Sequence, residues 1–302
     1  MKFIVAGGTG FIGTSLVGEA LLAGNTVVVL SRHPGSVKQS HPGLIVEQWD
    51  GKNRAAWARH LETADAVVNL TGELLSAKRW TKKQKGLILS SRIDSTKVLV
   101  QAIGASSRKP SVLINASGTG FYGDVPSGEV TESFPAGNDF LAQVCHRWEQ
   151  EASAVHAHEV RVVTLRFGIV LAKGGGALQK MMLPFRFFAG GYLGSGNQWL
   201  PWIHRDDVIQ GILFLLMNST ISGPVNFAAP ESVTMKEFCK KLGKAMQSPS
   251  WTAIPPFALR LMLGEMADIL LTGQRVVSKK LIDAGFVFKF PALQQALESI
   301  LK

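Results

Sequence analysis

Gly7, Gly8, Gly10 and Gly13 fall within seven residues, after a short apolar run at 2–6 and before apolar residues at helical spacing up to Gly24. Two frames fit, Gly8-x-Gly10-x-x-Gly13 and Gly7-x-x-Gly10-x-x-Gly13. The chemistry open to such a turn is anion capture. A backbone without Cβ lets a phosphate approach closely. The free N–H groups and positive dipole end of the following helix then face it. Gly7, Gly10, Phe11, Ile12 and Gly13 are expected to cradle a pyrophosphate. The bland alternative, a glycine-rich strand-to-helix turn that binds nothing, is disfavoured by the second strand that follows at 26–30.

That second strand ends on Ser31 and Arg32, and no acid follows until Glu47. Ribose hydroxyls call for a carboxylate at this place. A guanidinium instead offers a fixed fork of charged donors to a 2′-phosphate. Ser31 and Arg32 therefore point to NADP(H) rather than NAD, against the reading of Arg32 as a solvated surface charge.

These residues need a frame to position them. Apolar strands are expected at 44–50, 66–70, 111–117, 160–166 and 225–228, with helices at 54–61, 81–105, 140–156, 208–217, 234–246, 256–263, 278–284 and 291–301. Polar or glycine-rich loops are expected at 33–43, 124–139 and 184–196. The alternation implies an α/β fold, a Rossmann-type doubly wound parallel sheet, with a smaller C-terminal α+β region on the substrate side. The division falls at 1–167 and 168–302, with some later segments returning to the first part. Ligands of such sheets lie beyond the carboxyl ends of the strands, which puts Leu70, Thr71 and Gly72 beside the cofactor. Asp50 either accepts from an adenine amino group or caps its own loop. Arg92 falls near the inner face of the helix at 81–105, and a buried guanidinium is either paired with a carboxylate or directed at ligand phosphate. Arg79 and Trp80 are a substrate edge or a packed indole with a solvated cation.

The chain has 302 residues, 46% apolar and 18% charged, with a net charge of +10. Its Lys and Arg are dispersed, which argues against a specific nucleic-acid surface and suits a small anionic ligand. Cys145 and Cys239 have no metal-ligand spacing and form no disulfide framework, so no metal site and a reducing compartment, the cytoplasm, are expected. The apolar N-terminus is broken by glycines and explained by the strand-turn-helix pattern, and no apolar run reaches membrane-spanning length. Residues 258–263 are a candidate homodimer contact.

Further motifs narrow the reading. The glycine turn, Thr71-Gly72, Tyr122-Gly123, Thr-Glu-Ser-Phe-Pro at 131–135 and Trp-Ile-His-Arg-Asp-Asp at 202–207 resemble the extended short-chain dehydrogenase/reductase superfamily, which includes nucleotide-sugar epimerases. Asn-Leu-Thr-Gly-Glu at 69–73, Arg79-Trp80, Ser-Arg-Ile-Asp-Ser-Thr at 91–96, Trp148-Glu149 and Gln-Arg-Val-Val at 274–277 resemble its atypical branch of "epimerase family proteins", NADP-dependent oxidoreductases. The resemblance spans nearly the whole chain. It implies that Ile169 completes the cofactor contacts and that the second half closes over the nicotinamide. It also implies a Ser and a Tyr-x-x-x-Lys for proton transfer, and this is where the chain departs. Leu141 and Cys145 stand at the Tyr and Lys positions, Gly118 at the Ser position, and Arg92 at that of an Asn. Leucine cannot move a proton, and a neutral thiol cannot replace an ammonium. Ser117 and Tyr122 are then the leading catalytic candidates, with Thr119, Glu73 and His204 behind them. Glu73, Arg79, Trp80 and His204 are assigned to the substrate side. His204 is read first as holding the loop before Asp206 and Asp207, either of which would N-cap the next helix, and only then as a catalytic group. Three functions follow, in this order: an NADP(H)-dependent reductase with another proton source, a non-catalytic NADP(H)-binding regulator, and a nucleotide-sugar epimerase with displaced catalytic groups.

Overall fold

In the computed structural model, which describes residues 1–37, 41–54 and 56–302, a seven-stranded sheet runs through the molecule. Its members are β1 (Lys2–Ala6), β2 (Thr26–Ser31), β3 (Leu44–Gln48), β4 (Ala66–Asn69), β5 (Val112–Gly118), β7 (Arg161–Phe167) and β11 (Gly223–Phe227). The spatial order is β11-β7-β5-β4-β1-β2-β3, with every pairing parallel. Strands of this kind are buried on both faces, which is why they read as unbroken apolar runs rather than alternations. Phe3, Val5, Val27, Val29, Val68 and Ile114 face one layer, with α1 (Gly13–Leu22) and α5 (Arg205–Met217) packed on it. Ile4, Val28, Val67, Leu113 and Val162 face the other, covered by α2 (Lys82–Ala105) and α3 (Phe140–Ser153). The chain turns outward in both directions from β1, so the crevice at the ends of β1 and β4 is the switch point where ligands of such sheets lie.

The second half contributes β11 to the sheet and builds a separate core around Phe185, Trp202, Phe238, Leu242 and Leu297. This core joins α4 (Gly176–Arg186), α6 (Met235–Ala245) and α10 (Leu293–Leu301) to paired short strands: β8 (Ile169–Leu171) with β10 (Trp202–His204), and β9 (Gly190–Leu193) with β12 (Ser250–Ile254). The helix α7 (Pro256–Leu263) follows β12, with α8 (Asp268–Leu271) and α9 (Lys279–Asp283) after it.

Several expectations change. The segment at 124–139 is not all loop: β6 (Val125–Val130) pairs in parallel with β13 (Gln274–Val276). Pro184 does not open a loop but sits in the last turn of α4. The helix expected at 54–61 is a 3₁₀ segment, Ala56–Thr63, and the one expected from residue 208 starts at Arg205. Among the described residues no helix is long and apolar enough to cross a membrane.

Candidate functional site

The glycine turn leaves β1 at the switch point. Ala6 pairs with Leu30 on one side and Asn69 on the other, so Ser31-Arg32 and Leu70-Thr71 flank the turn at the same level. Gly7 adopts φ +79°, and a Cβ there would lie 2.8 Å from the Leu70 carbonyl. A Cβ on Gly13 would lie 2.2 Å from the Gly7 oxygen. The turn closes with Gly10 N–H donating to the Gly7 carbonyl at 3.0 Å. The helix start is uncapped: Ile12 supplies no side-chain bond, and the first turn holds no acid. The N–H groups of Phe11, Ile12 and Gly13 have no acceptor among the described residues. A cluster of unused donors at a helix start is a ready anion site, and the tight glycine contacts show why no side chain fits there.

The Phe11 ring borders the second half. A Cβ on Gly175 would come within 2.7 Å of it, and the Arg205 guanidinium lies 5.4 Å from its centroid. Ile169 starts β8, partly buried, with its N–H given to the Pro201 carbonyl at 2.7 Å. At the end of β2, the buried Ser31 hydroxyl accepts from His33 N–H at 3.2 Å. Arg32 is exposed and has no carboxylate partner among the described residues. Of the two readings for Asp50, the structure displays the loop cap: Oδ1 accepts from the amides of Lys52 (2.8 Å) and Asn53 (3.1 Å), and Oδ2 from Asn53 Nδ2 (2.8 Å).

Beneath Thr71 lies a buried polar cluster that sequence reasoning missed. Asn69 Nδ2 donates to Thr96 Oγ1 (2.9 Å) and Asn115 Oδ1 (2.7 Å), and its Oδ1 accepts from the Thr71 hydroxyl at 2.6 Å. Trp148 Nε1 also donates to Thr96 Oγ1, at 2.9 Å. The cluster fixes β4, β5, α2 and α3 to one another and sets the position of Thr71. Asparagine in the last place of an otherwise apolar strand was its only sequence signal.

Of the two alternatives expected of Arg92, the carboxylate partner is not found among the described residues. Its Nη1 donates to the carbonyls of Glu73 (3.1 Å) and Ile88 (2.9 Å). Gly72 leaves room for the guanidinium, since a Cβ there would lie 3.0 Å from Cζ, and the Trp148 ring is 5.0 Å away. Burial lowers its pKa, and Cys145 and Glu73 nearby oppose that shift. Cys145 is a buried thiol pushed up to about 11, chiefly by desolvation, so it stays protonated.

The two leading catalytic candidates, Ser117 and Tyr122, both have protein partners. Ser117 Oγ donates to Glu149 Oε1 at 2.7 Å. The Tyr122 hydroxyl donates to Asn226 Oδ1 at 2.6 Å and accepts from Arg166 Nη1 at 2.9 Å. Both are held in a buried lattice organised by Arg166, whose Nε and Nη2 grip Glu149 at 2.9 and 2.8 Å and whose guanidinium stacks 3.5 Å from the Phe121 ring. Tyr122 is 2% exposed, and burial pushes its phenol up to about 12. Each hydroxyl proton is given to a protein acceptor in this arrangement. Arg166 was visible in the sequence as a charge in step with the inward residues Val162 and Thr164.

His204 holds the loop before α5, the first of its two readings. It is itself the N-cap of α5, its Nδ1 accepting from Asp206 N–H at 3.1 Å. Its ring lies 4.0 Å from that of Phe290 and meets Ser299 of α10, so its contacts belong to the C-terminal core. Asp207 accepts from the amides of Lys289 and Phe290 rather than capping. Trp80 is held by a bond from Nε1 to the Leu75 carbonyl and by the edge of Phe140. Arg79 is exposed and reaches the Leu261 carbonyl at 3.4 Å. Glu73 accepts from Gln84 on one oxygen, at 3.4 Å. Thr119 uses its carbonyl to accept from Gln274, at 2.6 Å, and its hydroxyl is not engaged among the described residues.

Comparison with known proteins agrees with this architecture. The model of the NAD-dependent epimerase/dehydratase family matches residues 3–227, and a domain of unknown function, DUF1731, matches 254–300. Epimerase family protein YfhF of Bacillus subtilis (strain 168) is 39% identical over 302 residues, covering 100% of this chain and 98% of that protein. The chloroplastic epimerase family protein SDR39U1 homolog of Arabidopsis thaliana is 38% identical, covering 100% of this chain and 87% of its own length. The crystal structure of human epimerase family protein SDR39U1 (isoform2) with NADPH superposes with a TM-score of 0.86 at 31% identity, covering 100% of this chain and 99% of that one. UDP-glucuronic acid 4-epimerase of Bacillus cereus, at 19% identity and a TM-score of 0.80, shares the fold. The chain belongs to the NAD-dependent epimerase/dehydratase family.

Proposed function

We propose that this protein is an NADP(H)-dependent oxidoreductase that works without the superfamily's Tyr-Lys pair. The observation that carries the reading is the free N–H cluster of Phe11, Ile12 and Gly13, with the exposed Arg32 at the end of the neighbouring strand β2. The donors suit the pyrophosphate, and the arginine suits a 2′-phosphate that a carboxylate would repel. The human relative crystallised with NADPH supports the same coenzyme. Leu70, Thr71 and Gly72 then border the middle of the dinucleotide, and Ile169 its far end. When bound, the reduced coenzyme supplies a hydride.

The protein groups left to meet a substrate oxygen are the Thr119 hydroxyl and the free oxygen of Glu73, since Ser117, Tyr122 and His204 are otherwise engaged. A threonine hydroxyl orients an oxygen and passes on a proton drawn from water. The same scarcity of free acids supports a second reading, a protein that binds NADP(H) and reports its redox state without turnover.

Calorimetric titration with NADPH and NADH tests the coenzyme. Arg32→Ala is expected to weaken NADPH by about 1.5–3 kcal/mol, roughly 10- to 150-fold, and NADH hardly at all. Equal affinities of the wild type for both coenzymes would remove the argument. A screen of carbonyl compounds for NADPH oxidation separates the two readings: any saturable turnover excludes the silent sensor.

A further inference from the structure

Two arginines of this protein, Arg166 buried and Arg92 half-buried, are held by opposite arrangements. Arg166 closes the edge formed by Nε and Nη2 on both oxygens of Glu149, at 2.9 and 2.8 Å. This is the side-on, two-bond grip that a planar carboxylate fits. Arg92 presents the same edge with nothing on it. Its anchoring is all through Nη1, to the carbonyls of Glu73 and Ile88. Neither Nε nor Nη2 has a protein partner among the described residues, and neither is sealed from solvent.

The rest of the setting holds that edge still. One face of the guanidinium is so close to Gly72 that a Cβ would lie 3.0 Å from Cζ and 3.1 Å from Nη2. The Trp148 ring stands 5.0 Å away and is itself fixed to Thr96. Glu73, the nearest acid, accepts from Gln84 and forms no ion pair with Arg92. A long cation gives up side-chain entropy when it is fixed in this way, and here no carboxylate offsets that cost. Gly72 follows Thr71 at the end of β4, so the open edge lies at the crevice where the dinucleotide is proposed to sit.

We propose that Arg92 is a carboxylate receptor for the second ligand, and that the substrate is an organic acid gripped side-on by Nε and Nη2. The inference rests on the dinucleotide reading for its location but not for its chemistry. The competing source of oxygen atoms is the coenzyme itself, through its phosphates or ribose.

The test is calorimetry of oxalate, a small planar carboxylate, against protein saturated with NADP+, with NADPH affinity measured separately for each variant. Wild-type protein is expected to bind oxalate. Arg92→Ala is expected to lose at least 10-fold in oxalate affinity while NADPH affinity stays within about twofold. Arg92→Lys keeps the charge but not the fork, and should recover only part of the loss. Gly72→Ala displaces the guanidinium without removing it and should also weaken oxalate. Lys97→Ala, an exposed change on the same helix, should change nothing. If Arg92→Ala does not fold, the Lys and Gly72 variants carry the comparison. No oxalate binding by wild type, or oxalate binding untouched by all three variants, overturns the proposal. A loss of NADPH affinity in Arg92→Ala that matches its loss of oxalate assigns the edge to the coenzyme and overturns it too. Should wild-type protein bind no NADPH, oxalate is titrated into the free protein: loss in the Arg92 variants then upholds the receptor while the coenzyme reading fails.

Discussion

Exchanging Glu149 for Gln asks whether the Arg166 lattice is architecture or catalytic machinery. The side chains of Arg166 and Glu149 are 4% and 11% exposed. Gln keeps the shape but offers one acceptor where Arg166 Nε, Arg166 Nη2 and Ser117 Oγ all donate. Its amide nitrogen must then face another donor, and the guanidinium is left buried without a counter-charge. Breaking a buried pair from one side costs about 3–5 kcal/mol. Unfolding entropy of about 2.1 cal/mol/K per residue over 302 residues comes to about 0.6 kcal/mol/K, so the melting temperature should fall by about 5–8 °C. Replacing both partners, Arg166→Met with Glu149→Leu, removes the unpaired charge and should win back part of the loss. Differential scanning calorimetry reads both. A Glu149→Gln protein that melts within about 2 °C of wild type, yet has lost turnover, would show that the lattice serves the chemistry and that the reasoning for Ser117 and Tyr122 is wrong.

Two glycines of the first helix should part company. Gly13→Ala puts a Cβ 2.2 Å from the Gly7 oxygen and 2.7 Å from Gly8 Cα, backbone against backbone, so NADPH binding should vanish from a calorimetric titration. Gly18→Ala meets nothing within 4 Å and should stabilise the helix by about 0.5–1 kcal/mol, read by urea denaturation. Burial, and secondarily Lys289 and Arg205, hold the His204 imidazole down at about 4 against an ordinary 6.5, with Asp206 opposing. The unfolded chain takes up that proton as pH falls through 6.5 and the folded one only near 4. Its contribution is therefore complete above 6.5 and drains away between 6.5 and 4, by on the order of 2–3 kcal/mol. His204→Asn, which keeps an acceptor for the Asp206 amide, should flatten that part of a stability–pH curve; an unchanged slope would assign it to other groups.

The glycine turn and the central sheet were legible because local chemistry fixes them. Gly7 and Gly13 have contacts no side chain survives, and strands covered on both faces spell themselves as apolar runs. The pairing of β6 with β13 was not legible: Pro126 and Gly128 interrupt one strand, most of it is exposed, and its partner lies in the last third of the chain. The lattice around Arg166 was hidden for a related reason. Tyr122 and Asn226 are 104 residues apart and meet only because β11 lies beside β7. The cap of α5 was misplaced on Asp206 or Asp207 because a capping acceptor is sought among acids and hydroxyls, and an imidazole Nδ1 accepts equally well. Arg92 was legible as a cation needing an explanation, but its unused edge is a property of three-dimensional placement alone.

The position of β11 also decides when the flank of β7 can be covered during synthesis. β7 has β5 on one flank and stays bare on the other until residue 227 has left the ribosome. A nascent chain that has reached only β7 thus displays an unprotected row of amides and carbonyls, the kind of border to which other chains attach. In the finished fold that border is sealed by β11, so the sheet is complete only when both halves of the sequence contribute to it.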